Sequence, residues 1–198
     1  MPDFEIIGHA IGSIAQDAMY ESFEEWDDPR NNEIFPVLVK KASDLIGGQA
    51  NVLDLGCGSG RLGGLLRDSG SVRAVYAIDQ NSENVAMAQS YVGTGKVAQG
   101  RAQNISELFP GVQFSVIVAN ALFEPEVLMF NEPNMMQMLK AIYTSLEPGG
   151  HLVASGYLPL LIERRHLKEV GFKVKQCAIP RNAFNDSNPK QLYVAQKV

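Results

Sequence analysis

Apolar positions along the chain fall into short continuous runs separated by stretches of helical period, so strands and helices are predicted to alternate. NVLDL (51–55), VRAVYAID (72–79) and FSVIVAN (114–120) have strand length, and the last is apolar almost throughout. Such a run marks a central parallel strand covered on both faces. KVAQG and HLVASG supply a third and a fifth strand, and FKVKQCAI (172–179) and QLYVAQKV (191–198) the last two. Between those two, RNAFNDSNPK is rich in turn formers and reads as a hairpin connection, which makes the closing strand antiparallel.

Helices are predicted over 13–27, 33–46, about 60–69, through NVAMAQSYV behind a cap at Asn81 or Ser82, near 134–146 and near 159–170. Pro36 is tolerable only near a first turn, and LEPGG reads as a turn before the fifth strand. The alternation predicts an α/β fold: a Rossmann-like, doubly wound, seven-stranded sheet, mostly parallel with a C-terminal antiparallel hairpin. A helical cap over 1–33 is expected ahead of a main domain over 34–198.

VLDLGCGSGRLGG (52–64) overlays two ligand signatures. From Gly58, GSGRLG satisfies the G-x-G-x-x-G rule of NAD-binding enzymes; from Asp54, DLGCGSG has the acid–glycine spacing of an S-adenosylmethionine site. Both classes need glycine, because backbone must approach the ligand closely. In the NAD register the strand would run on through Gly56 and Cys57, with a glycine inside it and Asp54 pointing into the sheet. An unpaired buried carboxylate there costs several kcal/mol. If the strand ends at Leu55, Asp54 lies at its carboxyl end, where open α/β sheets bind ligands, and the acid and all three glycines are expected to sit without strain. Asp79, ending the second strand, suits a ribose in either class. An NAD-dependent oxidoreductase remains the less favoured alternative, because only about 120 residues follow Asp79 and all continue the same alternation.

VLDLGCGSG, YAIDQN, VIVAN and LEPGGHLVASG, in this order, make residues 34–198 similar to the class I S-adenosylmethionine-dependent methyltransferases. The resemblance implies that Gly56, Gly58 and Gly60 line the methionine part of the cofactor and that Asp54 approaches its amino group. Asp79 would hold the ribose, with Gln80 beside the adenine. Where many relatives carry a Gly-Asp-Ala run, GRAQN places Arg101 at the acid's position, leaving Ala102 to supply backbone and Gln103 or Asn104 to meet the exocyclic amine. The loop after the fourth strand, beginning Asn120-Ala121-Leu122-Phe123-Glu124, lacks both prolines of the Asn-Pro-Pro-Tyr/Phe enzymes that methylate bases or glutamine. It looks closer to ribosomal-protein lysine methyltransferases, whose separate recruiting domain would not fit the roughly 45 residues before the first strand.

Methyl transfer to an activated sulfonium carbon needs alignment and exclusion of water, with a base only where the nucleophile carries a proton. Glu124 is the candidate base or amine ligand, against the alternative of a solvated loop carboxylate. Asn120 ends a buried strand at the ligand edge. Tyr20, on the leading helix that ends at Trp26, is the second catalytic candidate, against plain packing of an amphipathic helix. His9, His151 and His166 have no partner visible in sequence and are expected to be inert or structural. Met129, Met135, Met136 and Met138 are expected mostly to fill the core.

Composition narrows the partners. Seventeen Lys and Arg against 22 Asp and Glu give a net charge of −5, unsuited to general binding of nucleic acid. Residues 1–60 hold 11 acids and 3 bases, and residues 161–198 hold 8 bases and 3 acids. That asymmetry fits an acidic entrance for an amine substrate, or simply an acidic helix near a basic tail. Two isolated cysteines, Cys57 and Cys177, fit a reducing cytoplasm, and no signal peptide or membrane-spanning run is seen. The absence of a carboxylate–histidine cluster predicts metal-free catalysis. The expected function is methylation of oxygen or nitrogen on a small molecule by S-adenosyl-L-methionine. A protein or peptide methyltransferase and a non-catalytic cofactor-binding subunit are the alternatives.

Overall fold

The computed structural model describes residues 31–124, 132–156, 160–178 and 191–198. Among these, α1 (Asn31–Leu45) leads into β1 (Ala50–Leu55), α2 (Arg61–Asp68), β2 (Val72–Asp79), α3 (Ser82–Val92) and β3 (Val97–Gln99). A 3₁₀ turn (Ala102–Asn104) and the short α4 (Ile105–Leu108) precede β4 (Phe114–Asn120), α5 (Glu132–Ser145), β5 (Leu146–Gly156), α6 (Arg164–Val170), β6 (Phe172–Ala178) and β7 (Gln191–Lys197). The seven strands lie in the order β3-β2-β1-β4-β5-β7-β6. β7 runs antiparallel to both of its neighbours, and the other pairings are parallel. The chain reverses direction across the sheet between β1 and β4, where this class of sheet opens a ligand crevice at the strands' carboxyl ends.

Alternation along the strands divides the core in two. Leu53, Leu55, Ile117, Ala119, Leu152 and Ala154 face α5 and α6, together with Met135, Met138 and Leu139. Val52, Val75, Val116, Val118 and Val153 face the other way, onto Leu38 of α1, Leu62 and Leu66 of α2, and Ala88 and Val92 of α3. Asp54 follows Val52 on that second face.

Three local expectations are corrected. Pro36 lies inside α1, past its first turn, where it removes the N–H that would reach back toward Asn32. LEPGG belongs to β5, because Leu146 pairs with Phe114 before a register shift, and the turn is absorbed as an irregularity in the ladder. The last predicted helix begins at Arg164 rather than near 159, capped by Glu163, whose side chain accepts from the backbone of His166.

Gly63 and Gly64 inside α2 each cost about 1 kcal/mol of helix propensity, and packing explains them. A Cβ on Gly63 would lie 2.7 Å from Val92 Cγ2, and one on Gly64 3.2 Å from the Tyr91 ring, so both glycines let α3 approach α2.

Candidate functional site

Gly56, Gly58 and Gly60 have φ of 74°, 52° and 82°, a region that side chains rarely adopt. A Cβ on Gly60 would stand 2.5 Å from Ala88 Cα, so the third glycine seats α3 against the loop. A Cβ on Gly56 would meet Leu122 Cδ1 at 3.1 Å, which puts the segment after β4 directly over the first glycine.

The loop is fastened to the end of β2. Gly56 and Cys57 donate their N–H groups to the Ile78 carbonyl at 2.9 and 3.0 Å. Gly58 N–H donates to Asp79 Oδ2 at 2.9 Å. The other carboxylate oxygen of Asp79 accepts from Asn81 N–H at 2.9 Å and from Asn84 Nδ2 at 3.2 Å. Asp79 is buried with three donors on it, and a carboxylate has about four acceptor positions, so one remains for a ligand hydroxyl. Asn81 caps α3 as expected, accepting from Glu83 and Asn84 N–H.

Asp54 is in a different situation. It is 2% exposed, and its Oδ2 has no hydrogen-bond partner. Burial pushes its pKa up to about 7; a hydrogen bond from the Gly63 backbone in the first turn of α2 opposes that rise, and the charge of Asp79 adds to it. The expectation that a strand ending at Leu55 spares Asp54 an unpaired buried oxygen is therefore corrected: the side chain points beneath α2. Cys57 is buried beside it, and burial together with the Asp54 and Asp79 charges pushes its thiol far up, so it is no nucleophile.

The remaining positions line the same carboxyl edge. Gln80 is exposed, and its carbonyl accepts from Gln99 Nε2 at 3.1 Å. Ala102 is buried at the start of the 3₁₀ turn, and Gln103 donates from Nε2 to Asn134 on α5. Arg101 is exposed. Asn120 ends β4 and accepts from the fully buried Ser155 Oγ at 2.7 Å. Ala121, the next residue, has φ 58°, a conformation costing on the order of 1 kcal/mol for a non-glycine residue. Glu124 is buried rather than solvated, with Oε1 2.8 Å from where a Cβ on Gly156 would be. Tyr20 lies outside the described residues, as do His9, Trp26 and Met129.

The structure therefore brings the glycine loop, Asp79 and Asn120 to the carboxyl edge of β1, β2 and β4, with Gln80, Ala102 and Gln103 on its β2–β3 side and Glu124 beyond β4, whereas Asp54 starts from the same edge and turns beneath α2. Asn84, Ser155 and Leu122 join them, three residues that sequence reasoning does not single out. Ser155 is a polar residue inside an otherwise apolar run (LVASG), and that is the signal the sequence carries for it, whereas Asn84 follows the polar Asn81-Ser82-Glu83 and carries none. His166 is buried, as a structural residue would be: its Nδ1 accepts from Glu163 N–H at 3.1 Å, and its Nε2 lies 3.0 Å from Glu132 Oε1. Among the described residues no group of three or more His, Cys, Asp and Glu is placed to hold a metal ion, and no helix is long and apolar enough to cross a membrane.

A family model described as a methyltransferase domain matches residues 52–150. A ribosomal protein L11 methyltransferase from Bordetella parapertussis is 36% identical over 110 residues, 55% of this chain and 32% of that protein. A malonyl-[acyl-carrier protein] O-methyltransferase from Priestia megaterium is 24% identical over 137 residues, 69% of this chain and 47% of that protein. The chain thus spans less than half the length of these relatives. The fold matches the N-methyltransferase NodS from Bradyrhizobium japonicum in complex with S-adenosyl-L-homocysteine, with a TM-score of 0.66 at 16% identity over 86% of this chain and 89% of that one. It also matches magnesium protoporphyrin IX methyltransferase from Synechocystis with bound S-adenosylmethionine, with a TM-score of 0.64 at 15% identity over 94% and 91%.

Proposed function

This chain belongs to the methyltransferase-domain family, and from that premise we propose that it transfers a methyl group from S-adenosyl-L-methionine to oxygen or nitrogen of a small molecule, without a metal ion. The observation that carries the reading is the glycine loop fastened to Asp79 through Gly58 N–H at 2.9 Å, at the carboxyl ends of β1 and β2. That cradle admits backbone against a ligand at Gly56 and Gly58, and Asp79 keeps one acceptor position for a ribose hydroxyl. Asp54, at the end of β1, is assigned to the cofactor's amino group. Gln80, Ala102 and Gln103 are assigned to the adenine side.

The donor supplies a methyl group on a positively charged sulfur, already activated toward a nucleophile. The chain's own part is to align the acceptor and keep water out. Asn120, held by Ser155, presents its amide at the end of β4, and Leu122 closes over Gly56. Glu124 is assigned as the group that binds an acceptor amine or takes the acceptor's proton. Tyr20 and the division into a cap over 1–33 and a cofactor domain over 34–198 belong to the same proposal, as does a cytoplasmic location, supported by the unpaired Cys57.

Calorimetric titration with S-adenosylmethionine and with NAD tests the reading: binding of the first and not the second is expected, and no binding of S-adenosylmethionine refutes it. The 36% identity to a protein methyltransferase favours one second reading, a protein acceptor. Donor carrying a radiolabelled methyl group, incubated with the chain and a fractionated cell extract, separates the two. Label in the small-molecule fraction supports the first reading, and label in the protein fraction supports the second.

A further inference from the structure

The two carboxylate oxygens of Asp79 are not treated alike. Oδ1 accepts twice, from Asn81 N–H at 2.9 Å and from Asn84 Nδ2 at 3.2 Å. Oδ2 accepts once, from Gly58 N–H at 2.9 Å. The backbone beneath them is fixed as well, since the Asp79 carbonyl accepts from Gly100 N–H at 2.9 Å. A carboxylate oxygen has about two acceptor positions, so Oδ1 is filled and the free position lies on Oδ2, the oxygen beside the glycine loop.

Asn84 decides this asymmetry. The donor from Asn81 is a backbone N–H, which any residue but proline would supply, whereas the second donor on Oδ1 is a side chain. Asn84 is the third residue of α3, and its own N–H lies 3.4 Å from the Asn81 cap oxygen, so the start of the helix aims its amide at the end of β2. It is 2% exposed, and losing Asp79 to a ligand would leave a buried amide without that acceptor, which holds Asn84 in place against an incoming hydroxyl. An apolar side chain at this position, like the buried Ala88 and Val92 further along α3, would leave a second position open on Oδ1. A ribose offers two neighbouring hydroxyls, and this carboxylate has room for one.

We propose that Asn84 is a positioning residue of the donor site: its amide stands in for one ribose hydroxyl on Asp79, so that the methyl donor is held there by a single hydroxyl, at Oδ2. The proposal rests on the cofactor reading above. It makes the carboxylate a one-sided grip, with Gly58 N–H and the ligand hydroxyl sharing Oδ2 while α3 keeps Oδ1 for itself.

The test is calorimetric titration of the whole chain with S-adenosylhomocysteine and with its 2′-deoxy and 3′-deoxy analogues. On the wild-type chain one analogue is expected to bind about tenfold more weakly than the parent, the scale of one hydrogen bond to a charged group, and the other within about twofold of it. Asn84→Ala opens the second position on Oδ1, and on that variant both analogues are expected to bind at least about threefold more weakly than the parent. A merely structural role for Asn84 would shift all three affinities together and leave their ratios unchanged. If the variant does not fold, the ratios on the wild-type chain decide. Equal weakening of both analogues on the wild-type chain, or wild-type ratios in Asn84→Ala, overturns the proposal and leaves the cofactor reading intact. Two analogues that bind as well as the parent overturn the ribose assignment with it, and absence of S-adenosylhomocysteine binding overturns the cofactor reading too.

Discussion

Replacing Asp54 with Asn removes one titration from the protein and exchanges a single oxygen for nitrogen. In the wild-type chain the carboxyl goes from a pKa of 3.8 when exposed to about 7 when folded. The folded state therefore holds a proton that the unfolded chain releases. Stability from this group is fully present below about pH 4 and is lost as the pH rises through about 7. Each pH unit between those two values is worth about 1.4 kcal/mol, so the whole loss is on the order of 4 kcal/mol, most of it between pH 5 and 8. The asparagine of the variant does not titrate. Its oxygen still accepts from Gly63, but its amide N–H₂ has no partner, at a constant cost of about 1–3 kcal/mol. Urea unfolding of both proteins at pH 5, 6, 7 and 8, followed by circular dichroism, gives the difference at each pH. The variant is expected to be the less stable at pH 5 and to gain roughly 2–3 kcal/mol relative to wild type by pH 8. A difference that stays constant within about 0.5 kcal/mol refutes the raised pKa, and with it the account of the pocket.

Gly60→Ala is expected to cost about 3 kcal/mol in urea unfolding, because its Cβ would meet Ala88 at 2.5 Å on a φ of 82°. Gly70→Ala, with φ 71° and open space around it, is expected to cost only about 1 kcal/mol. Asp79→Asn is expected to weaken S-adenosylmethionine binding by more than about 1 kcal/mol in calorimetry and also to lower stability, since three donors converge on that carboxylate; unchanged affinity would refute the ribose assignment. His166→Phe is expected to cost about 1–3 kcal/mol of stability and to leave S-adenosylhomocysteine affinity unchanged, because His166 ties α6 to Glu132 and lies outside the crevice.

Most of the sheet is legible in the sequence because its strands carry their own signal. FSVIVAN is apolar on both sides and lies between β1 and β5, and the turn formers before QLYVAQKV announce the antiparallel strand. The boundaries that differ do so for tertiary reasons. Leu146 is drawn into β5 by Phe114, a pairing across 32 positions that no local pattern contains. The site divides in the same way. The three glycines and Asp79 declare themselves by spacing, whereas Ser155 matters only because Asn120, 35 residues earlier, ends beside it. Glu124 reads as a loop carboxylate in sequence because it is buried beside Gly156, which lies 32 positions further along the chain. The direction of the Asp54 side chain escapes the motif because strand alternation, not distance from the strand end, decides which layer it enters.

β6 touches the sheet through β7 alone, and β7 is the later of the two in the chain. Phe172–Ala178 thus joins the sheet only through Gln191–Lys197, which pairs with β5. A chain cut after residue 190 would lose two strands rather than one and leave the outer backbone groups of Leu152 and Ala154 bare, an open edge able to recruit a stranger's strand.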